Sequence, residues 1–278
     1  MHIRISTRLE LDIPEPTDIL LQIEAAHIPE QVVLRGHIDL PPCQHFARIS
    51  GQDAIGERIW LRTHGQIQID YQAEVAINRL VMPIEGLAAL PPHRLPGDTV
   101  QYLMDSVYCP ANRFHQHVGA EFGQLVGGAQ IAAMRDWITD SFVYDPDASN
   151  ASTTALESFV ERRGVCRDFA HMLITFARAA AIPARYASVY APDVEPQDFH
   201  AVAEVFLADE SGEGGAWHLV DPTGMATSGE MAKIAIGRDA ADASFITHYG
   251  HMGMKSKIIT VTARPRPMDN IPQQGSRG

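Results

Sequence analysis

The chain has 278 residues, of which 45% are hydrophobic and 20% charged, and its formal net charge is −12. This composition is typical of a globular protein, and the acidic balance argues against nucleic acid or an anionic membrane surface as the main partner. The first residues lack the apolar region of a signal peptide, and no run approaches the about 18 apolar residues of a membrane span. Three widely spaced cysteines, Cys43, Cys109 and Cys166, do not form a disulfide framework, so we predict a cytoplasmic protein.

The segment from Met1 to about Leu90 has a β pattern. Apolar residues occupy every second position between Ile3 and Ile13, which predicts a strand with one buried face. DILLQIEA, ERIWLRT and IQIDYQAEVAI are further strand candidates, separated by glycine and proline turn signals. We therefore predict an N-terminal antiparallel β-sandwich over residues 1–95, without catalytic groups. The proline cluster LPPHRLPGD at 90–98 predicts a domain boundary, with a second domain over residues 98–265.

The second domain mixes helices and strands. A helix is predicted over about 129–139, and the capping pair Thr154 and Glu157 predicts another through about Arg162. A third helix begins at Cys166 and ends before Pro183. RYASVYA, HAVAEVFL, AWHLVDPT and SKIITVTA are strand candidates, and the tail over residues 266–278 is predicted to be disordered.

Cys166 begins the apolar stripe of the third helix. A cysteine at such a position is often a small core hydrophobe. Here, however, the free N–H groups and the dipole of the first helical turn favour a thiolate, and Arg162, Arg163 and Arg167 add positive charge nearby. The same N–H groups can donate to an oxyanion, so the position suits a nucleophile.

A thiol nucleophile needs a base, and the base needs a group that orients it. His200 opens one predicted strand and Asp221 closes the next, and the two ends meet in an antiparallel hairpin. A register that pairs them puts Leu207 opposite Gly214 at the loop, and a register two residues away leaves them diagonal neighbours on one face. We therefore predict that Cys166, His200 and Asp221 form a catalytic set.

Other histidines and acids fit these roles less well. His171 lies about 140° around the helix from Cys166, and His218 points to the face of its strand opposite Asp221. Asp168 lies in the first turn of the helix, where a local structural role is expected.

Three groups of polar residues are weaker candidates: the cluster Cys109, His115 and His117, the single residue Arg185, and the group Arg238, Asp239 and Asp242. The first group lacks a fourth metal ligand at a recognised spacing. An arginine such as Arg185 more often pairs locally than binds a substrate carboxylate. The third group is expected to hold the C-terminal segment in an ion-pair network rather than to line the site.

The segment from about Phe142 to Gly250 resembles the transglutaminase-like superfamily of papain-type cysteine enzymes. More narrowly, it resembles bacterial transglutaminase-like proteins with an N-terminal β domain. The resemblance rests on four blocks, GVCRDFAHMLITFARAAAIPARY, HAVAEVF, WHLVDPTG and IGRDAADASF. The family has a Cys at a helix start, a His that opens a strand and an Asp before Pro-Thr, and these positions are Cys166, His200 and Asp221 here.

The resemblance implies an α+β fold in which the helix of Cys166 packs on an antiparallel sheet that carries His200 and Asp221. It implies acyl transfer through a thioester, and we favour hydrolysis of a peptide or amide bond in a peptide, protein or other amide-containing substrate. An amine-accepting transglutaminase and a catalytically silent binding or scaffold protein are the alternatives. We predict no cofactor, no metal ion, no nucleic acid and no membrane as partners, and the sequence allows a homo-oligomer without indicating one.

Overall fold

The computed structural model describes residues 1–209, 211–212 and 214–264, so the tail predicted to be disordered lies outside the described residues. The α-helices are α1 His115–Phe122, α2 Gly127–Ser141, α3 Ala155–Glu161 and α4 Cys166–Ala179. The strands are β1 His2–Leu21, β2 Gln31–Asp39, β3 His45–Ser50, β4 Glu57–Ile77, β5 Val143–Tyr144, β6 Arg163–Gly164, β7 Ala184–Tyr190, β8 His200–Ala208, β9 Gly215–Val220, β10 Ala232–Gly237, β11 Ile246–Tyr249 and β12 Gly253–Arg264. Helices combined with mainly antiparallel sheets confirm the predicted α+β class.

The first sheet is built on two long strands, β1 and β4. Its order is β11-β1-β4-β2, with β12 also paired to β1 and β3 to β4. The predicted alternation is present in β1, where Ile3 and Ile13 are fully buried and their neighbours in sequence face outward or are half-buried. The strand candidates ERIWLRT and IQIDYQAEVAI form one strand, β4, which continues through Gly65 with a φ of 89°. Glycine adopts this left-handed conformation without strain.

This sheet differs from the predicted N-terminal β-sandwich. Its six strands pair into one continuous sheet, and two of them, β11 and β12, come from the far end of the chain. β12 pairs with β1 from Asp12–Gly253 to His2–Arg264. Alternation shows that one face of a strand is buried, but it does not specify what covers that face. Here the buried residues of β1 and β4 share a core with the helices. The sheet therefore includes residues of the predicted second domain, and the boundary at 90–98 stays a prediction.

The second sheet carries the candidate site and has the order β10-β7-β8-β9, with all three pairs antiparallel. Helix α4 packs on β7 and β8, and α1, α2 and α3 pack around α4. The predicted capping box is confirmed, since the Thr154 N–H donates to Oε2 of Glu157 at 2.7 Å and α3 begins at the next residue. No described helix has both the length and the apolar character that a membrane span requires.

Candidate active site

Cys166 is the first residue of α4 and is partly exposed there. The buried carboxylate of Asp168 turns back and accepts the N–H of Val165, with 2.8 Å between N and Oδ2. Gly164 makes room for this contact, because a Cβ at that position would lie 2.6 Å from the Asp168 carboxylate. Asp168 thus caps the start of the helix, which is the local structural role expected of it.

His200 and Asp221 meet at one end of the β8–β9 hairpin. The distance between Nε2 of His200 and Oδ2 of Asp221 is 2.9 Å. If His200 and Asp221 paired directly, Leu207 would lie opposite Gly214. Leu207 lies opposite Ala216 instead, so the observed register is offset by two residues. The two side chains are therefore diagonal neighbours on one face, the second of the two registers that allow their contact.

The Asp221 carboxylate is held by more than the imidazole. Its Oδ1 accepts the N–H and the hydroxyl of Thr223 at 2.8 and 2.7 Å, and its Oδ2 accepts the N–H of Ala226 at 2.9 Å. Burial opposes ionisation, but the hydrogen bond from His200 and the bonds from Thr223 outweigh it and lower the pKa of Asp221. The carboxylate is therefore a fixed negative charge next to the imidazole.

The His200 imidazole is 1% exposed. Burial disfavours its charged form, yet the hydrogen bond with Asp221, together with the nearby Cys166, outweighs burial and raises the pKa of His200. Asp221 occupies Nε2, while Nδ1 is buried and makes no well-formed hydrogen bond with any described residue. Nδ1 is therefore the nitrogen that remains for the neighbouring thiol, and the arrangement can share a proton between sulfur and imidazole.

Cys166 and His200 line a cleft with a volume of about 680 Å³. The Sγ atom lies 4.0 Å from the carbonyl oxygen of Phe199, the residue before His200. One wall is formed by the C-terminal segment that leads to β12, where Lys257 forms an ion pair with Asp198. Five aromatic rings contribute to the walls: Tyr108, Tyr144, Tyr186, Phe199 and Phe245. The cleft thus has aromatic walls and carries the thiol on its surface.

Tyr144 is a residue of this cleft that sequence analysis missed. Strand β5 pairs in parallel with β6, and Tyr144 lies opposite Gly164, two residues before Cys166. Tyr144 and Cys166 line the same cleft. Burial, and next the negative charge on a Cys166 thiolate, raise the pKa of Tyr144, so the hydroxyl keeps its proton. Nothing in the segment SFVYDPD indicates this contact, because it depends on a two-residue strand pairing across α3.

The two other candidate histidines, His171 and His218, do not line the cleft that carries the thiol. His171 is buried between the rings of Tyr108 and Tyr186, at centroid distances of 5.1 and 5.4 Å. Burial lowers the pKa of His171, and the neutral ring accepts the N–H of Ala240 at 3.1 Å. His218 is half-buried on β9 and lines a different cavity. His171 therefore supports the cleft wall from behind.

The three residues of the weak metal-site candidate, Cys109, His115 and His117, each have separate surroundings. Burial raises the pKa of Cys109 to about 12, and its thiol lies 3.7 Å from the carbonyl oxygen of His171. Nδ1 of His115 lies 3.0 Å from the carbonyl oxygen of Ala179, and His117 packs among aromatic rings. Within the described part of the chain, no group of three His, Cys, Asp or Glu side chains could hold a metal ion.

The remaining polar candidates have local partners. Nε of Arg185 donates to Glu204 at 2.7 Å, so this arginine pairs inside the fold. The Asp239 carboxylate accepts the N–H of Tyr108 at 2.9 Å, and Arg238 pairs with Asp242 at 2.9 Å. These contacts hold the segment after β10 in place. The expected buried ion-pair network is replaced here by one ion pair, whose Arg238 side chain is 47% exposed, and one hydrogen bond to the backbone.

Comparison with known proteins agrees with this architecture. A family model described as the transglutaminase-like superfamily matches residues 116–222. An uncharacterized protein of Mycobacterium leprae (strain TN) is 27% identical over 150 residues, which are 51% of this chain and 52% of that protein. The chain thus spans about half the length of this curated relative.

A solved structure is similar over almost the whole chain. It is the crystal structure of a putative cysteine protease from Cytophaga hutchinsonii, with 28% identity and a TM-score of 0.85, and it covers 94% of this chain and 90% of that one. The family model takes in α4 and the β8–β9 hairpin, and the solved structure shares the fold around them. These matches identify residues 116–222 as a transglutaminase-like domain.

Proposed function

We propose that the protein is a cysteine hydrolase that cleaves a peptide or amide bond through a thioester on Cys166. The observation that carries the proposal is the buried His200–Asp221 contact of 2.9 Å, with the second imidazole nitrogen left for a thiol that opens on the cleft. The combination of an imidazole held by a buried carboxylate and a thiol on the same cleft supports a chemical role for the site.

In the proposed reaction, His200 takes the thiol proton on Nδ1, and Sγ of Cys166 attacks the carbonyl carbon of the substrate. The C–N bond breaks as His200 gives this proton to the leaving amine, and a thioester remains. Water, deprotonated by His200, then attacks the thioester, the C–S bond breaks, and the acid product leaves as Cys166 regains a proton. Asp221 orients His200 and stabilises the imidazolium in both halves of the reaction.

The tetrahedral intermediate carries an oxyanion that needs hydrogen-bond donors. We assign the first to the backbone N–H of Cys166, at the positive end of the α4 dipole. We assign the second to the hydroxyl of Tyr144, which lines the same cleft as Cys166 and keeps its proton because burial raises its pKa. Both donors are fixed by the strand pairing that precedes the helix.

Hydrolysis is preferred to amine transfer for three reasons. Water has access to an open cleft, and a transferase must exclude it from the thioester. A carboxylate at the cleft wall that could attract an amine, Asp198, is already paired with Lys257. The protease description of the Cytophaga relative supports the same choice. The three described cysteines are free, which supports the cytoplasmic setting that we propose for the thiol.

The test uses the purified chain and a library of peptide amides, with Cys166→Ala as the control. Hydrolysis predicts acid products that take up oxygen from ¹⁸O-labelled water, together with an acyl adduct that mass spectrometry locates on Cys166. Added monodansylcadaverine separates the alternatives, because a dansylated amide product would identify an amine-accepting transferase. The absence of both product and adduct would contradict either enzyme and favour a binding protein.

A further inference from the structure

Arg167 lines the cleft at the start of α4, and its guanidinium is held there through one nitrogen. Nη2 donates to Oγ of Ser149 at 2.7 Å, to the carbonyl oxygen of Asn150 and to Oδ1 of Asp168 at 3.3 Å. The central carbon of the guanidinium lies 6.0 Å from the ring centroid of Tyr108. These contacts hold the planar group in place, so the directions of its other N–H groups are fixed as well.

The two other nitrogens of Arg167 make no hydrogen bond with any described residue. Nε is enclosed by the protein, whereas Nη1 is reached by solvent, and the side chain is 22% exposed. Arginine remains charged in proteins, so Nη1 offers two N–H donors that carry part of a positive charge. The side chain therefore brings an open, charged donor to the cleft, and the contacts of Nη2 set its position.

The other charged side chains of the cleft have partners of their own. The ammonium of Lys257 pairs with the carboxylate of Asp198, which also accepts the N–H of Phe199 at 2.7 Å. His200 is held by Asp221. Among the described residues that line the cleft, Asp198 is the one acid, and its charge is already matched. The cleft therefore presents no free carboxylate that would compete for an open donor, although the whole chain carries a net charge of −12.

We propose that Arg167 binds a carboxylate of the substrate through Nη1, so that the substrate is a peptide with an acidic side chain or its C-terminal carboxylate close to the bond that is cleaved. The closeness follows because Arg167 directly follows Cys166 in the chain. A guanidinium and a carboxylate form a charge-assisted hydrogen bond, which is roughly twice as strong as a neutral one. The inference rests on the proposed function for the identity of the ligand as substrate, but it concerns binding alone.

A change of charge on both the peptide and the protein tests the contact. The probes are fluorescein-labelled hexapeptides of random sequence with an amidated C-terminus, in which one position is fixed either as Glu or as its neutral analogue Gln. A further pair of peptides has no fixed position and differs only in a free or an amidated C-terminus. Affinities are measured by fluorescence anisotropy with the Cys166→Ala chain, so that no peptide is cleaved. A preference confined to the free C-terminus would identify the terminal carboxylate as the group that is bound.

The parent Cys166→Ala chain should bind the carboxylate peptide of a pair about tenfold more tightly than its neutral analogue, as expected for one charge-assisted hydrogen bond. Arg167→Gln, added to this chain, should lower the ratio of the two affinities to about one, and Arg167→Lys should keep part of it because the charge remains. Arg163→Gln is the matched control. It removes the same charge from an arginine that is 54% exposed and does not line the cleft, so the ratio should stay at the parent's value.

The ratio separates binding from a structural role, because an arginine that only supports the fold would affect both peptides of a pair alike. An unchanged ratio in folded Arg167→Gln would therefore overturn the proposal. A parent that binds neither peptide, or binds both equally in every pair, would overturn it whether or not any variant folds. A wild-type chain that hydrolyses none of the peptides, while its Cys166→Ala form prefers carboxylates through Arg167, would contradict the proposed function alone, so the two failures are distinguishable.

Discussion

Two buried ionisable side chains on β8, His200 and Glu204, lie four residues apart on the same face of the strand and differ in what surrounds them. Glu204 accepts Nε of Arg185 at 2.7 Å and Nζ of Lys233 at 2.6 Å. His200 has one ring nitrogen bound to Asp221 and the other without a well-formed partner among the described residues. The first group is satisfied inside the fold, and the second is left with capacity for a reaction.

The surroundings of Glu204 show what a structural ion cluster requires. The guanidinium of Arg185 lies 3.9 Å from the ring centroid of Trp217, and Lys233 also contacts Glu30 at 2.7 Å. These contacts join β7, β8 and β10 to the segment before β2, and none of these residues lines the cleft. Burial alone therefore does not identify a reactive group. A buried imidazole that is paired with a carboxylate and shares a cleft with a thiol is the better indicator.

The largest effects are expected at the proposed catalytic set. Cys166→Ala should abolish turnover, His200→Ala should nearly do so, and Asp221→Asn should lower kcat by about 10⁴-fold because the imidazole loses its orienting partner. A double variant should be no worse than its poorer single variant, since the residues act as a unit. Measurement of kcat/KM on a substrate from the amide screen checks this. Equal damage from Asp168→Asn at equal stability would mean that the wrong carboxylate is assigned.

At Glu204 we expect a substitution to lower the stability of the protein and to leave kcat unchanged. Glu204→Gln leaves Arg185 and Lys233 buried without their shared countercharge, which should lower the free energy of unfolding by about 3–5 kcal/mol. Urea unfolding measures the loss, with His200→Ala as the comparison. The folded fraction of the Glu204→Gln chain should keep its kcat. If kcat falls in protein that is still folded, the division between a structural and a reactive site on β8 is wrong.

The stability that Glu204 supplies depends on pH. Burial opposes ionisation of Glu204, but Lys233 and then Arg185 outweigh it and lower its pKa. Because the folded pKa lies below the unfolded value of about 4.3, the stability that this carboxylate supplies is present above that value and is lost as the pH falls toward the folded pKa. The stability difference between wild type and Glu204→Gln should therefore narrow below about pH 4. A difference that stays constant from pH 7 to pH 3 would contradict this assignment.

Cysteine labelling compares Cys166, which shares a cleft with His200 of β8, with the two other cysteines. At about pH 6, iodoacetamide should alkylate Cys166 about tenfold or more faster than the exposed Cys43, because the thiolate is the reacting species. Cys109 should react last, since burial raises its pKa to about 12. Peptide mapping after brief labelling gives the three rates. Equal rates would mean that Cys166 is an unactivated thiol.

The smallest effect concerns the predicted boundary. Limited proteolysis should cut first within residues 90–98, most of which are exposed. The two fragments should then stay associated in native buffer, because β12 pairs with β1 across the cut. Size-exclusion chromatography after cleavage checks the association. First cuts within 166–221 would contradict the prediction that this region is the compact core.

The sequence alone determined the features that depend on residues close together in the chain. The alternation of β1, the Thr154–Glu157 cap and the start of α4 at Cys166 are local signals, and each is found where it was predicted. The meeting of His200 and Asp221 followed from the hairpin that joins them, although the register differs by two residues. A short loop limits which strand ends can meet, so this contact could be predicted without the rest of the fold.

Only the tertiary structure decided the partners that are distant in sequence. β2 is mostly exposed and β10 is wholly buried, so neither has the alternation that marks a half-buried strand, and both were missed. The pairing of β12 with β1, and the approach of Tyr144 to Cys166, depend on which surfaces the whole chain leaves to be covered. Local propensity does not select such partners, because the free energy that fixes them comes from burial shared across the complete core.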